Sequence, residues 1–373
     1  MTLVEAAMGD IGPSSAAGAL SAFKEISSQD PPLEMAAPAA ASAEDAGTVM
    51  LRRNGGVTQA VVCGVRLEVV HVDSAAGAGT EGAEDDDGED AALEMWTWFF
   101  EEGFSLASAT GFARVWPGGA ALVRSVGDAD SALRLALAQA SEAAGRSARC
   151  LELGAGCGLV GLAAAAAAGA DVLLTDTAAV VNGVLARNLR HNSGASVPPA
   201  ATDGAHSSAA AEPWPGAVAV GTGRAAVAVL DWTVPVGEQL QGCSAAPDVV
   251  LAAECVWLAE LIEPFADAAA ALLLSRQGSC SSAEPREGED RQGHDTREDG
   301  QAALPPPVLF LSSRERARSG STTFAPVGAA LAALAARGCG DCRLVERHEA
   351  GGGQDDEDED SPLLVYAVRP DKP

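Results

Sequence analysis

The sequence predicts an α/β fold, a mostly parallel sheet with helices on both faces, and three observations carry the prediction. From residue 148 onward, short apolar runs alternate with longer Ala- and Leu-rich runs, the pattern of strands joined by crossover helices. The first run, 148–153, ends in a glycine turn, Gly154-Ala-Gly156-Cys-Gly158, which opens an apolar helical run. A second run, Val172-Leu-Leu-Thr175, ends at Asp176. Strand, glycine turn, helix, strand and acid make up the βαβ unit that grips a nucleoside-bearing ligand.

The elements follow in order. Residues 1–45 are rich in Ala, Ser and Pro with weak periodicity and read as a disordered tail. Residues 46–125 read as a small N-terminal extension or cap built of a β-hairpin and a helix. Within it, 48–72 forms a β-hairpin: Val49-Met-Leu-Arg-Arg, a turn at Asn54-Gly55-Gly56, then Val57–Val72. An acidic loop, 74–90, precedes an aromatic segment, 93–125, with Trp96, Trp98, Phe99, Phe100, Phe104, Phe112 and Trp116. Residues 126–370 read as the main domain. Its strands are 148–153, 172–176, 225–230, 248–253, 308–312, 343–348 and 363–369, seven in all. Its helices are 158–169, 178–190, 258–275 and 322–337. The last two strands are close in sequence apart from an acidic loop and are expected to pair antiparallel. Residues 193–222 and 276–306 are polar, Gly/Pro/Ser-rich insertions, longer than ordinary connections and expected to be disordered.

Composition removes several function classes. The net charge is −28, concentrated in runs such as the seven acids of 81–90 and the six of 355–360. Such runs read as solvated segments and argue against a nucleic-acid partner, which needs a basic surface. The only lysines are Lys24 and Lys372, so Schiff-base, P-loop and Tyr-x-x-x-Lys chemistry all lack their lysine; the single tyrosine, Tyr366, has Pro370 at the required spacing. Eight cysteines are scattered without a framework. Cys339-Gly-Asp-Cys342 is at best half of a zinc site, and His206 and His294 sit in loops, so no metal is expected. The longest apolar stretch, Leu159–Ala170, is shorter than the roughly 20 residues of a membrane span, and the N-terminus lacks a basic region ahead of an apolar core. A cytoplasmic protein with reduced thiols is expected.

The glycine spacing selects the cofactor. A dinucleotide fingerprint needs its third glycine at 159, which is Leu159, and Glu152 stands just before the turn. An acid there disfavours a pyrophosphate and suits a cation. S-adenosylmethionine (AdoMet) is one, and Asp176 would take its ribose hydroxyls. In such sheets ligands lie beyond the C-terminal strand ends. Those ends carry Glu152 and Gly154–Gly158, Asp176, Asp231-Trp232, Ala253-Glu-Cys-Val-Trp257 and Ser312-Ser-Arg-Glu-Arg316. The acids suit the ribose and a cationic group, and the aromatics suit adenine and a sulfonium.

This ordered set resembles family 16 of the seven-β-strand, class I AdoMet-dependent methyltransferases, a group with protein-lysine methyltransferases in it. Gly111-Phe-Ala-Arg-Val-Trp116-Pro is similar to the family's Thr-Gly-x-x-x-Trp-Pro segment. Leu151–Gly161 is similar to its first motif, Leu174-Thr-Asp176 to its ribose-binding strand end, Asn188-Leu-Arg-His-Asn192 to its Asn-x-x-x-Asn helix, and Leu230-Asp-Trp232 to the segment that brackets adenine. Ala253-Glu-Cys-Val-Trp257 stands where the family has Asp-x-x-Tyr, with Glu254 for Asp and Trp257 for Tyr. The resemblance implies a Rossmann-like fold that binds AdoMet through Trp116, Glu152, Gly154, Ala155, Gly156, Asp176, Trp232 and Ala253, and acts through Glu254 and Trp257. Read by themselves, Asn188 and Asn192 end a helix rather than touch ligand.

The function expected is methyl transfer to a protein side chain, most simply a lysine ε-nitrogen, by a monomer with a protein substrate and no nucleic-acid or membrane partner. Two other readings stay open: a non-catalytic AdoMet-binding scaffold, motivated by the altered Asp-x-x-Tyr site, and a small-molecule methyltransferase or NAD-dependent oxidoreductase.

Overall fold

Two sheets and the helices packed on them account for the regular structure in the computed structural model, which describes residues 49–54, 56–71, 114–194, 213–241, 243, 246–276, 304–314, 325–348 and 362–372. The N-terminal tail, the acidic loop, the aromatic residues before 114 with Gly111, most of both insertions with His206 and His294, Glu315, Arg316 and the acids of 355–360 lie outside the described residues.

Strands β1 (Met50–Asn54), β2 (Val57–Val62) and β3 (Val65–Val70) form an antiparallel meander. The sequence predicts one long strand from 57 to 72. Cys63 and Gly64, both at positive φ (49° and 79°), break it with a two-residue turn whose twist suits a hairpin; apolar residues on both sides hide that turn in the sequence. Two helices follow; the sequence predicts a helix in this extension without bounds, and none at 132–144. In α1 (Pro117–Gly127) the proline sits in the first turn, where a missing N–H leaves no bond unmade. In α2 (Ala132–Ala144) the Ser131 side chain caps the Arg134 N–H at 3.0 Å, Gly145 closes the helix in the left-handed region, and Leu133, Leu137 and Ala140 share the buried face.

The main sheet then builds from β4 (Arg149–Leu153), α3 (Leu159–Ala168), β5 (Asp171–Asp176), a helix α4, β6 (Val218–Val220), β7 (Gly223–Val229), β8 (Val249–Ala253), α5 (Ile262–Leu274), β9 (Val308–Arg314), α6 (Val327–Ala335), β10 (Asp341–His348) and β11 (Leu363–Arg369). Helix α4 is composite: Ala178–Val180, a π-helical turn Val181–Leu185, and Ala186–Asn192. The spatial order is β10-β11-β9-β8-β4-β5-β7-β6. Strands β9, β8, β4, β5 and β7 are mutually parallel. β11 runs antiparallel to both β9 and β10, so the expected terminal pair forms. The sheet has eight strands where seven were expected. The extra one, β6, pairs antiparallel with β7 and lies inside 193–222, read as a disordered insertion. The C-terminal end of that segment is therefore structured: Trp214 is fully buried and its indole N–H donates to the Asp171 carbonyl at 2.9 Å.

Both faces of the parallel strands are covered, which is why they read as continuous apolar runs rather than alternating ones. One face packs Cys150, Val172, Leu174, Val249, Leu251 and Phe310 against α1, α3, α4 and, beyond them, the meander. The other packs Leu151, Leu153, Leu173, Val250, Leu309 and Leu311 against α5 and α6. The alanines of α3 let α1 and the meander approach closely. Helix α5 begins at Ile262 after a 3₁₀ turn, Ala259–Leu261, four residues later than expected, which puts Pro264 in the first turn, where it is tolerated. Among the described residues no helix is long and apolar enough to cross a membrane.

Candidate active site

Strand order reverses at the boundary between β4 and β8: β4 leads to β5 and β7 on one side, β8 to β9 on the other. A parallel sheet splays its connections apart at such a point and leaves a crevice at the C-terminal strand ends. The glycine turn leaves β4 at this place. Gly154, Gly156 and Gly158 have φ of 63°, 53° and 85°, a left-handed backbone that side chains other than glycine rarely accept. A Cβ on Gly154 would stand 2.6 Å from the Cys255 Cβ and 3.2 Å from the Trp232 ring. Glycine here is demanded by neighbours from two other strand ends, in addition to backbone conformation. The same contacts bring the ends of β4, β7 and β8 together. Trp232 is held edge-on to Phe265, with centroids 5.4 Å apart at 67°, so its ring is a fixed wall.

Asp176 closes the turn from β5. Its carboxylate accepts the Gly156 N–H at 2.8 Å and the Thr177 N–H at 2.7 Å. Burial pushes its carboxyl up to about 6, against those hydrogen bonds and one from the Thr177 side chain. A carboxylate has about four lone-pair sites, so with the Thr177 hydroxyl also bonded about one remains for a hydroxyl donor from a ligand. Ala155 donates to the Thr175 carbonyl at 2.9 Å, and the Thr175 hydroxyl donates to the Glu152 carbonyl at 2.6 Å. Thr175 thus shapes the turn from beneath. It was missed because a buried threonine in a strand reads as β-propensity alone.

Glu152 is placed differently from the other acids. It is 1% exposed and points to the α3 side of the sheet, where it accepts the Gly161 N–H at 2.9 Å. It therefore caps the first turn of α3 from the neighbouring strand, and this bond is its partner within the fold. Burial pushes its carboxyl up to about 8, with the Gly161 bond opposing and the Asp176 charge adding to the shift. At neutral pH it is largely protonated, so it offers a cation little charge. Its unfolded value is near 4.5; a raised carboxyl favours the fold below that pH and loses this contribution as pH climbs through the folded value. Glu152→Gln is expected to match the wild type at pH 5 and to exceed it by on the order of a few kcal/mol at pH 9. Thermal unfolding at the two pH values checks this; parallel curves for the two proteins would remove the buried acid from the stability profile.

Beyond β8 the backbone of Glu254 is left-handed, φ 47°, a conformation that costs a residue with a side chain about 1–3 kcal/mol. Two bonds hold it there. Its N–H donates to the Ser312 carbonyl at 3.0 Å, and its carboxylate accepts the Gly118 N–H in the first turn of α1 through a short hydrogen bond. Gly118 is glycine because a Cβ would meet Glu254 Cγ at 2.5 Å and Ser312 Oγ at 2.6 Å. No signal in the sequence connects 118 with 254. Trp116 precedes α1 at its N-cap position, half-buried, with the Arg114 guanidinium 4.5 Å above its ring, so one aromatic face already carries a cation. Ala253 ends β8 opposite Ser312. Trp257 is half-buried, and its carbonyl accepts the Ala325 N–H at 2.9 Å.

One chain of contacts therefore runs from Gly118, beside Trp116, through Glu254 and Cys255 to Gly154 and Trp232, and Gly156 joins it to Asp176. Glu152 is buried next to this chain, close enough to feel the Asp176 charge, and is bonded to the Gly161 N–H of α3. The thiols nearby are poor nucleophiles: burial pushes Cys157 up to about 12 and Cys255 well above its ordinary value. Among the described residues no group of three His, Cys, Asp or Glu side chains is placed to hold a metal ion.

Residues 107–202 match the family model described as lysine methyltransferase. That span is well under half of the chain; it includes the glycine turn and Asp176 and stops short of Trp232, Glu254 and Trp257. No curated protein matches the sequence. Among solved structures the chain is similar to the crystal structure of EvdMO1, at 15% identity over 63% of this chain and 41% of that one, with a TM-score of 0.32; the alignment spans less than half of that protein. It is also similar to the glycopeptide N-methyltransferase MtfA complexed with S-adenosyl-L-methionine, at 15% identity over 69% of this chain and 99% of that one, with a TM-score of 0.28.

Proposed function

We propose, from the lysine methyltransferase family segment at residues 107–202, that this protein is an AdoMet-dependent methyltransferase acting on a protein side chain, with a lysine ε-nitrogen as acceptor. The observation that carries the reading is the convergence of the left-handed glycine turn, Asp176 and Trp232 on one crevice at the strand-order reversal. AdoMet supplies an electrophilic methyl group on a sulfonium. The chain's own residues bind and aim. Asp176 keeps acceptor capacity for a ribose hydroxyl. Gly154, Ala155 and Gly156 form the floor with no side chain larger than one methyl group. Trp232 gives a flat apolar wall for a base, Trp116 borders the far side, and Ala253 ends the strand between them.

An attacking lysine must be neutral, against an ordinary value near 10.4. A water-poor channel lowers that value. Glu254, buried at the strand end, takes a hydrogen bond from the amine and orients its lone pair; Trp257 forms part of the channel wall. Positioning of this kind is the main service a protein gives to an in-line displacement.

One observation favours a second reading, a non-catalytic AdoMet-binding scaffold: the Glu254 carboxylate already holds the N-terminus of α1 through Gly118. Glu254→Gln separates the two. Glutamine keeps an acceptor for the Gly118 N–H and loses the charge. AdoMet affinity is expected to stay unchanged and turnover to fall about 100-fold, measured as labelled methyl groups transferred to proteins of a lysate depleted of this protein. Equal turnover would make Glu254 a clamp alone. Binding with no labelled product would favour the scaffold, and a labelled small metabolite would favour a small-molecule methyltransferase.

A further inference from the structure

Helix α4 carries two buried asparagines one turn apart, Asn188 and Asn192, at 0% and 3% exposure. Both are spent on the edge of the meander. The Asn188 side chain accepts the Val70 N–H at 2.9 Å and donates to the Val70 carbonyl at 3.0 Å. Asn192 does the same at Glu68, at 2.9 and 2.7 Å. Residues 68 and 70 of β3 present their N–H and C=O groups along one edge, so the two amides act as the neighbouring strand that β3 lacks on that side. Each amide has one further N–H. Asn192 gives it to the Asn188 carbonyl of its own helix at 2.8 Å. Asn188 gives it to the carbonyl of Cys157 at 2.9 Å, inside the glycine turn.

Cys157 lies between Gly156, whose N–H is bound to Asp176, and Gly158, the N-cap of α3. Both glycines are left-handed, and glycine backbone is the most costly to order. A hydrogen bond from a fully buried side chain to the carbonyl between them fixes that peptide. We propose that Asn188 is a positioning residue for the cofactor turn, and that through it the meander and the turn are energetically coupled. This rests on the reading that the turn binds AdoMet. Asn188 does not touch the ligand; it holds the turn in the binding geometry, with β3 as its anchor. Coupling is reciprocal, so ligand in the crevice steadies the edge of β3.

The two asparagines provide their own control, because they share residue type, helix, burial and anchor strand and differ in the bond to Cys157. AdoMet is titrated by calorimetry into the wild type, Asn188→Ala and Asn192→Ala. Wild-type protein that fails to bind AdoMet would defeat the proposed function and leave the contacts as described. Given wild-type binding, Asn188→Ala is expected to weaken affinity about tenfold and Asn192→Ala less than about twofold, although both lower the unfolding temperature. Equal effects on affinity would overturn the proposal. If Asn188→Ala does not fold, hydrogen exchange on the wild type decides. AdoMet is expected to slow exchange of the Glu68 and Val70 amides at least about threefold while β1 is unaffected; unchanged exchange in β3 would overturn it.

Discussion

Asp176→Ala is expected to abolish AdoMet binding while the protein stays folded. The carboxylate fixes the turn through the Gly156 and Thr177 N–H groups and, on the proposed function, accepts a ribose hydroxyl as well. Hydrogen bonds to a charged group contribute about 1.5–3 kcal/mol each, so losing the ribose bond and the turn's closure together removes at least about 100-fold in affinity. Calorimetry detects that directly, and unchanged affinity would refute the assignment. The pH dependence gives a second handle. The carboxyl titrates at about 6 in the folded protein, raised by burial from near 3.8. Protonation removes acceptor capacity, so wild-type affinity is expected to decline as pH falls below about 6. The ligand-free protein loses stability over the same range in the opposite direction, as pH rises from about 4 to 6 and a half-buried, partly desolvated group becomes charged.

Asp248→Ala is expected to lower stability by about 3–5 kcal/mol and to leave AdoMet affinity unchanged wherever the protein remains folded. Asp248 sits at the N-terminal end of β8, the end of the sheet away from the crevice. It is buried and accepts Arg146 at 2.7 and 3.2 Å, the Arg149 N–H at 2.6 Å and a short bond from Arg276. Burial alone would raise its carboxyl, but the hydrogen bonds from Arg146, the Arg149 N–H and Arg276, with the Arg276 charge, outweigh it and hold the group below its ordinary value. Alanine would leave two guanidinium groups facing each other around an empty site. The Arg149 guanidinium, lowered by burial and by Arg146, shows that positive charge is already crowded there. Because the folded value is depressed, the stabilisation is present above the unfolded value and is lost as pH falls through the folded one. Urea unfolding at pH 7 and pH 3 is expected to show a larger gap between wild type and variant at the first than at the second. Equal gaps would mean the cluster contributes packing rather than charge.

Much of the site was legible because its parts are local. Three glycines in five residues, an acid at the next strand end and apolar runs of strand length can be read along the chain, and the turn folds by φ preferences that glycine alone tolerates. The roles of individual side chains were less legible. Glu152 looked like a partner for a cation, yet period-two alternation from Leu151 and Leu153 sends it to the opposite face, under α3. Asn188 and Asn192 looked like helix-ending residues, and α4 does end at Asn192; that their amides serve a strand more than a hundred residues earlier has no sequence signature. The same holds for Gly118 and Glu254, and for Cys63-Gly64, whose turn is hidden by apolar neighbours.

The sequence by itself determined the alternating α/β architecture, the parallel strands buried on both faces, the glycine turn and the acid that closes it, since these follow from periodicity and backbone preference within a few residues of chain. Only the tertiary structure decided which groups meet: Trp232 and Cys255 over Gly154, Glu254 on the N-terminus of α1, Asn188 between β3 and the turn, and Glu152 on the Gly161 N–H of α3. Those pairings depend on the order in which strands lie side by side, and a buried polar atom takes the partner that the folded neighbourhood supplies.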